Sequence, residues 1–553
     1  MKKNLTPLLA LLLVIFTLST KAQIDSIANQ KIDSLFKIWN VPDHPGGAVA
    51  IMSKGKTVFS KAYGLASLEY LVPNSTGTIF NTGSVSKQFT AMGIVRLEEQ
   101  GKLNFDDDIH KYIPDLPAFQ ETITIRHLLH HTSGLRSLHA MLELAGWRGD
   151  DSRSNADLNR IIVKQKDLNF KPGSEYLYCN TGYMLMVNII ENISGEKFKD
   201  WMQHNIFIPL DMPHTYVEDQ YNRVVPDNAT SYYGNTTFDR AVEFWGYVGS
   251  GNMHSTTGDL LNWLSNFSTP KEGWKSAFET LQTTDKLNDG SDNNYAFGVV
   301  VDEHLGKKRI QHGGAIGGFR SYVATYPDAQ LSIAVLTNFS GGNPVNLANQ
   351  IAGILFGRND GEAQKKKAYS YIELTDQDLM KFEGTYWNDK DKYSRKIYLK
   401  NDTLRYSRGE NNETPLIPIN QNTFKMLNTD SDVTVTFING NSKKQMLVQV
   451  DDQSIINFET VNSRAAKARE LAQYAGTYYS PELETSYTIL VKVDTISVYH
   501  PRHGYIAAKL LFPDIISADW PVNIIQIKRN AKNKISGMLV SNGRVRNAWF
   551  EKQ

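Results

Sequence analysis

Cysteine is almost missing from this sequence: Cys179 is the single thiol in 553 residues. One thiol cannot close an intrachain disulfide, so stability must come from packing even in a compartment that would permit disulfides. Net charge is almost missing too. Lys and Arg number 59 against 58 Asp and Glu, which leaves no whole-molecule field to draw nucleic acid or anionic lipid. Nucleic-acid binding is therefore set aside. A membrane-spanning run is also wanting, because the apolar stretch Leu8 to Leu18 falls short of the roughly 20 residues a crossing helix needs. Lys2 and Lys3 precede that stretch, and Thr20 and Ala22 take the small-residue positions after it. This is the pattern of a secretory signal peptide over residues 1–22. No cysteine follows it to accept a lipid. The expectation is a periplasmic or secreted protein with no stable membrane span after cleavage.

What is present is an ordinary globular composition, 41% apolar and 21% charged, in a chain too long for one core, since single cores stop growing near roughly 250 to 300 residues. Two or three domains are expected. Residues 23–358 mix strand-like stretches (GGAVAIMS, KTVFSKAYG, LSIAVLTN) with helical ones, which reads as α/β. Lys54-Gly55 marks a hairpin turn. From Ser84 the pattern turns helical, with Phe89, Met92 and Val95 on one face and Gly101 past the end. Residues 359–377 are polar and Lys-rich and read as a linker.

Beyond the linker the chain repeats itself at an offset of 92. Gly384-Thr385-Tyr386 returns as Gly476-Thr477-Tyr478, Met446-Leu447-Val448 as Met538-Leu539-Val540, and Phe458-Glu459 as Phe550-Glu551. Apolar residues alternate inside each copy, the period of a half-buried strand. Residues 378–461 and 470–553 are expected to form two tandem all-β modules, each a closed or nearly closed antiparallel barrel.

A serine hydrolase needs a nucleophile, a base and donors aimed at the developing oxyanion. Ser-x-x-Lys at a helix start supplies the first two, because positions i and i+3 share a helix face. The sequence holds four such pairs: Ser34/Lys37, Ser53/Lys56, Ser84/Lys87 and Ser194/Lys197. Only Ser84 follows a glycine at a loop-to-helix transition (FNTGSVSKQFTAM), where backbone N–H groups are free. Two further motifs accompany it. Tyr178-Cys179-Asn180 offers a phenol and an amide, although Tyr233/Asn235 and Tyr386/Asn388 share that spacing. His312-Gly313-Gly314-Ala315 places glycines where a backbone must approach closely.

Ser84-x-x-Lys87, Tyr178-x-Asn180 and His312-x-Gly314, in that order at wide spacing, resemble the three-motif set of class C β-lactamases, DD-peptidases and related esterases and D-aminopeptidases. The segments Ile125 to Leu135 and Gly249 to Trp263 resemble this family as well, and the resemblance covers about residues 30 to 350. It implies a β-lactamase-like domain, an antiparallel sheet with flanking helices plus a helical region, ahead of the two β modules. It makes Ser84 the acylated nucleophile and Lys87 with Tyr178 the proton-transfer pair. Asn180 would position the substrate, and the N–H groups of Ser84 and Ala315, beside Gly314, would form the oxyanion hole. The reaction implied is hydrolysis of peptides or esters, D-configured ones included, without a cofactor.

His312 stands where many relatives carry Lys. A neutral imidazole offers a substrate carboxylate one hydrogen bond and no charge, so binding should strengthen as pH falls toward about 6.5, unless Arg320 supplies a fixed cation. This departure weighs against the alternative of a true β-lactamase. A second alternative is a penicillin-binding or ligand-binding protein that is acylated but does not turn over. His127, His130 and His131 have metal-like spacing without the glutamate of a zinc hydrolase motif, and they read as a structural turn. Cys179 reads as a buried filler and Asp106-Asp107-Asp108 as a solvated turn.

Overall fold

The computed structural model describes residues 25–357, 369–409, 412–427, 429, 432–439, 443–450, 455–461 and 468–553. The signal peptide expected at 1–22, and the part of the 359–377 linker up to residue 368, lie outside the described residues.

Six strands form the central sheet: β1 (Gly47–Ser53), β2 (Lys56–Tyr63), β3 (Val300–His304), β4 (Lys307–Ile316), β5 (Phe319–Tyr326) and β6 (Leu331–Thr337). Their order is β3-β4-β5-β6-β1-β2, antiparallel throughout. The Lys54-Gly55 turn has positive φ at both residues (49° and 72°), the geometry that matches strand twist in a two-residue hairpin.

The central strands β1 and β6 read as near-continuous apolar runs because both their faces are covered. Along β1, Val49 and Ile51 enter one core while Ala48 and Ala50 enter the other, and along β6 Ile333 and Val335 oppose Ala334 and Leu336. Five helices matter most: α1 (Ser26–Leu35), α2 (Lys87–Glu99), α3 (Asn180–Ser194), α4 (Thr257–Ser265) and α5 (Pro344–Leu355). α1 and α5 cover the Val49/Ile51 face. Alanines on the opposite face leave room for α4 to lie close on β1 and β6. α2 and α3 pack on each other on that same side.

The two C-terminal modules are closed eight-stranded barrels with the same strand order, running from Gly384–Asn388 to Ile456–Val461 and from Gly476–Ser480 to Ala548–Lys552. Their internal equivalences follow the repeat. Tyr386 Oη donates to Phe382 O and Tyr478 Oη to Tyr474 O, both at 2.8 Å. Met446 faces Phe458 across a strand pair as Met538 faces Phe550.

The barrels differ in what they pack against. The first closes over its own apolar core, whereas the second shares one continuous core with the catalytic domain. A buried ion pair, Arg136 with Glu482, crosses that junction. Tyr487 Oη donates to Leu144 O at 3.0 Å, and Arg546 N donates to Asn169 Oδ1 at 2.7 Å. The first barrel meets the second through Trp387 and Phe512, ring centres 5.4 Å apart.

Candidate active site

Ser84 sits in a 3-10 turn, Gly83–Ser86, that runs directly into α2 at Lys87. The α-helix thus begins three residues after the nucleophile, later than the apolar pattern suggests. The turn is pinned from two sides: Thr82 N donates to Met253 O at 2.9 Å, and Ser321 Oγ donates to Thr82 O at 2.6 Å.

Two glycines make this approach sterically feasible. Gly83 has φ +52°, and a Cβ there would lie 2.7 Å from Ala315 N. A Cβ on Gly314 would lie 2.1 Å from Thr82 O and 3.1 Å from Ser84 N. Both amide nitrogens assigned to the oxyanion hole, Ser84 N and Ala315 N, therefore border one seam between the turn and β4. The Ser84 side chain stays partly exposed.

Lys87 Nζ lies 3.1 Å from Ser84 Oγ and donates to Ser250 O at 2.6 Å. The side chain is 0% exposed. Burial drives its pKa well below the ordinary lysine value, and the Arg544 cation pushes it further down. Both effects disfavour the ammonium and favour an amine able to take a proton from the serine. Tyr178 and Tyr183 turn their rings toward Nζ, at 4.7 and 5.6 Å.

The Tyr178 hydroxyl is buried and has no hydrogen bond of good geometry among the described residues. Burial raises its pKa, and the Ser84 hydroxyl beside it offsets part of the rise. It stays protonated at neutral pH and can pass on a proton. His131 supports this position from behind, its Nδ1 accepting from Cys179 N at 3.1 Å and its ring 4.3 Å from Tyr178. Cys179 is buried and donates to Leu135 O. Asn180 opens α3 and leaves its buried Oδ1 without a partner among the described residues.

His312 does not do what its position in the motif suggests. It is 6% exposed, and its Nδ1 lies 2.6 Å from Gly313 O while Nε2 lies 3.0 Å from Tyr295 Oη. A carbonyl only accepts, so Nδ1 carries the proton and Nε2 accepts from the tyrosine. Neither nitrogen is left for a substrate. Burial, with Lys87 nearby, pushes its pKa down to about 3, so the expected change of charge near neutrality does not occur.

Arg320 does reach the cleft wall, but Nη1 is held by the carbonyls of Gly317 and Phe319 at 2.9 and 2.7 Å. The other decoys have structural roles. His127 Nδ1 accepts from Thr124 N, His130 Nδ1 donates to Tyr295 O, and Asp106 pairs with Arg126.

The cleft over Ser84 has a volume of about 320 Å³, and Asn180, Ala315, Arg320, Trp245, Tyr247 and Arg153 are among the residues that line it. Three contributors carry no motif: Ser250, Tyr295 and Arg544. Ser250 falls inside the family-like segment from Gly249 to Trp263. Arg544 had one legible signal, since at the 92-residue offset the first copy carries Asp452 instead.

A partly exposed serine beside a buried lysine whose ammonium form is disfavoured, with two backbone donors bordering the same seam, fits a serine acyl-transfer site. The sequence matches the Beta-lactamase family over residues 37–355, and the chain belongs to that family of serine hydrolases. It is 29% identical over 326 residues to a penicillin-binding protein of Bacillus subtilis (strain 168), covering 56% of this chain and 71% of that one. It is 27% identical over 313 residues to a D-aminopeptidase of Gluconobacter oxydans (strain 621H), covering 56% of this chain and 59% of that one. The fold is shared with the penicillin-binding protein homologue from Pyrococcus abyssi, at a TM-score of 0.55 and 24% identity over 78% of this chain and all of that one.

Proposed function

We propose that the protein is an exported serine hydrolase that cleaves peptide or ester substrates, D-configured ones included, through an acyl-enzyme on Ser84. The carrying observation is the 3.1 Å approach of a fully buried Lys87 Nζ to Ser84 Oγ. Lys87 takes the hydroxyl proton as Oγ bonds to the substrate carbonyl carbon. The oxyanion that forms faces Ser84 N and Ala315 N, where fixed donors are worth most. Collapse breaks the bond to the leaving amine or alkoxide, which takes its proton from Lys87 by way of Tyr178. Water then attacks the ester on Ser84 with Lys87 taking its proton; the acyl–Oγ bond breaks, Oγ takes that proton back, and the product acid leaves. The D-aminopeptidase relative supports D-configured substrates. Residues 1–22 support export, and N-terminal sequencing of protein from the cell envelope or medium should begin at residue 23.

The central test pairs labelling with turnover. A fluorophosphonate should label the wild type and leave Ser84→Ala unlabelled, while D-alanine p-nitroanilide or short-chain esters should give continuing product. Full labelling of Ser84→Ala refutes the nucleophile. Labelling without turnover would make the protein a binder and not a hydrolase.

A further inference from the structure

Arg153 is a buried cation in the cleft wall. It lines the same cavity as Ser84 and is 4% exposed. Arginine remains charged in any protein environment, and a buried charge without a counter-ion is strongly unfavourable. No carboxylate lies within ion-pair distance of it among the described residues. Asp151, two positions before it, is taken by Arg502 at 2.6 Å. Glu143, also in the cleft wall, accepts from Trp520 Nε1 at 3.3 Å, and burial raises its pKa, which weakens it as an anion.

Among the described residues the guanidinium has two attachments. Nη2 donates to Arg148 O at 2.7 Å, and the group lies 5.5 Å from the Trp245 ring centre. Nε is buried without a partner. The backbone is nonetheless fixed, because Arg153 N donates to Phe244 O at 3.0 Å and Arg153 pairs with Trp245 in a short parallel ladder. A held cation in the wall of the nucleophile's cleft, with no counter-ion among the described residues, is matched by an anionic ligand.

We propose that Arg153 receives a carboxylate carried by the substrate, making it the specificity residue that distinguishes anionic from neutral substrates. Its guanidinium supplies the charge that His312 withholds. Arg320 is a poorer candidate because its Nη1 donors already hold two carbonyls. The inference rests on the hydrolase reading above for its chemistry, but not for its binding.

Mono-p-nitrophenyl adipate and its neutral methyl ester share a leaving group and differ by one carboxylate. At low ionic strength the wild type should show kcat/KM about tenfold or more higher for the anionic ester, the scale of a charge-assisted hydrogen bond. Arg153→Gln should erase that ratio, Arg153→Lys should keep part of it, and Arg320→Gln should keep it. A wild type with no preference, or a ratio lost only in Arg320→Gln, overturns the assignment. Absence of any turnover sinks the hydrolase reading instead. Calorimetric titration of Ser84→Ala with monomethyl adipate then decides the carboxylate site alone: binding well above that of dimethyl adipate supports it, and equal binding overturns it.

Discussion

The Arg544 guanidinium lies 5.0 Å from the centre of the Tyr178 ring, so a cation from the second barrel stands over one member of the proton-transfer pair. Its field disfavours the ammonium form of Lys87. Replacing it should therefore raise the Lys87 pKa and shrink the free-amine fraction at a given pH. In Arg544→Ala the acid limb of the kcat/KM profile should move to higher pH, and in Arg544→Glu it should move further. A lowered plateau with an unmoved limb would mean that Arg544 acts on the site through packing and not through its charge.

Lys87→Ala and Tyr178→Phe should each slow acylation by about 10² to 10⁴-fold, the usual contribution of a positioned acid or base. Stopped-flow labelling separates this from weakened binding. Near-normal acylation in both single mutants would require another base.

Gly314→Ala places a methyl group 2.1 Å from Thr82 O and 2.2 Å from Ser321 Oγ. Backbone must shift to admit it, at a cost of about 1 to 3 kcal/mol. Because that shift separates Ser84 N from Ala315 N, kcat should fall while KM changes little. A fully active mutant would show that the seam is not the oxyanion site.

Buried histidines predict an acid weakness. His254 and His312 both have pKa values pushed down to about 3 by burial, whereas unfolded histidine titrates near 6.5. Below that value the unfolded chain binds protons that the folded one refuses, so stability falls as pH drops. The loss should approach about 1.4 kcal/mol per pH unit for each such histidine between roughly pH 6 and 3. Denaturant melts across that window, repeated on His254→Gln, should show a shallower slope in the mutant.

Glu482→Ala strips the carboxylate from a buried guanidinium, Arg136, that otherwise keeps the carbonyls of Arg546 and Asn547. Breaking a buried pair in this way costs about 3 to 5 kcal/mol. Early release of the second barrel in a thermal melt, or its exposure to protease ahead of the catalytic domain, would register the loss.

The barrels were legible because a repeat at constant offset needs no tertiary knowledge, and alternation names the strand directly. Ser84, Lys87, Tyr178 and Asn180 were legible because each belongs to a short, ordered motif. His312 was misread for a physical reason: its neighbours in sequence are glycines, but its hydrogen-bond partner, Tyr295, comes from a different segment, and burial is not written locally. Arg153 and Arg544 were missed on the same ground. An arginine on a short strand or a loop is ordinary until folding decides whether water or a nucleophile's cleft surrounds it.

Order along the chain has a consequence for how the enzyme comes into being. A ribosome makes Ser84 and Lys87 early, then the rest of the catalytic domain, then a barrel with its own core, and only afterwards the hairpin bearing Arg544. Until that hairpin docks, Lys87 lacks the second of the two influences that keep it unprotonated, and the apolar surface that the second barrel shares with the catalytic domain faces solvent. Docking of the second barrel thus adds the Arg544 cation to the burial that already disfavours the Lys87 ammonium.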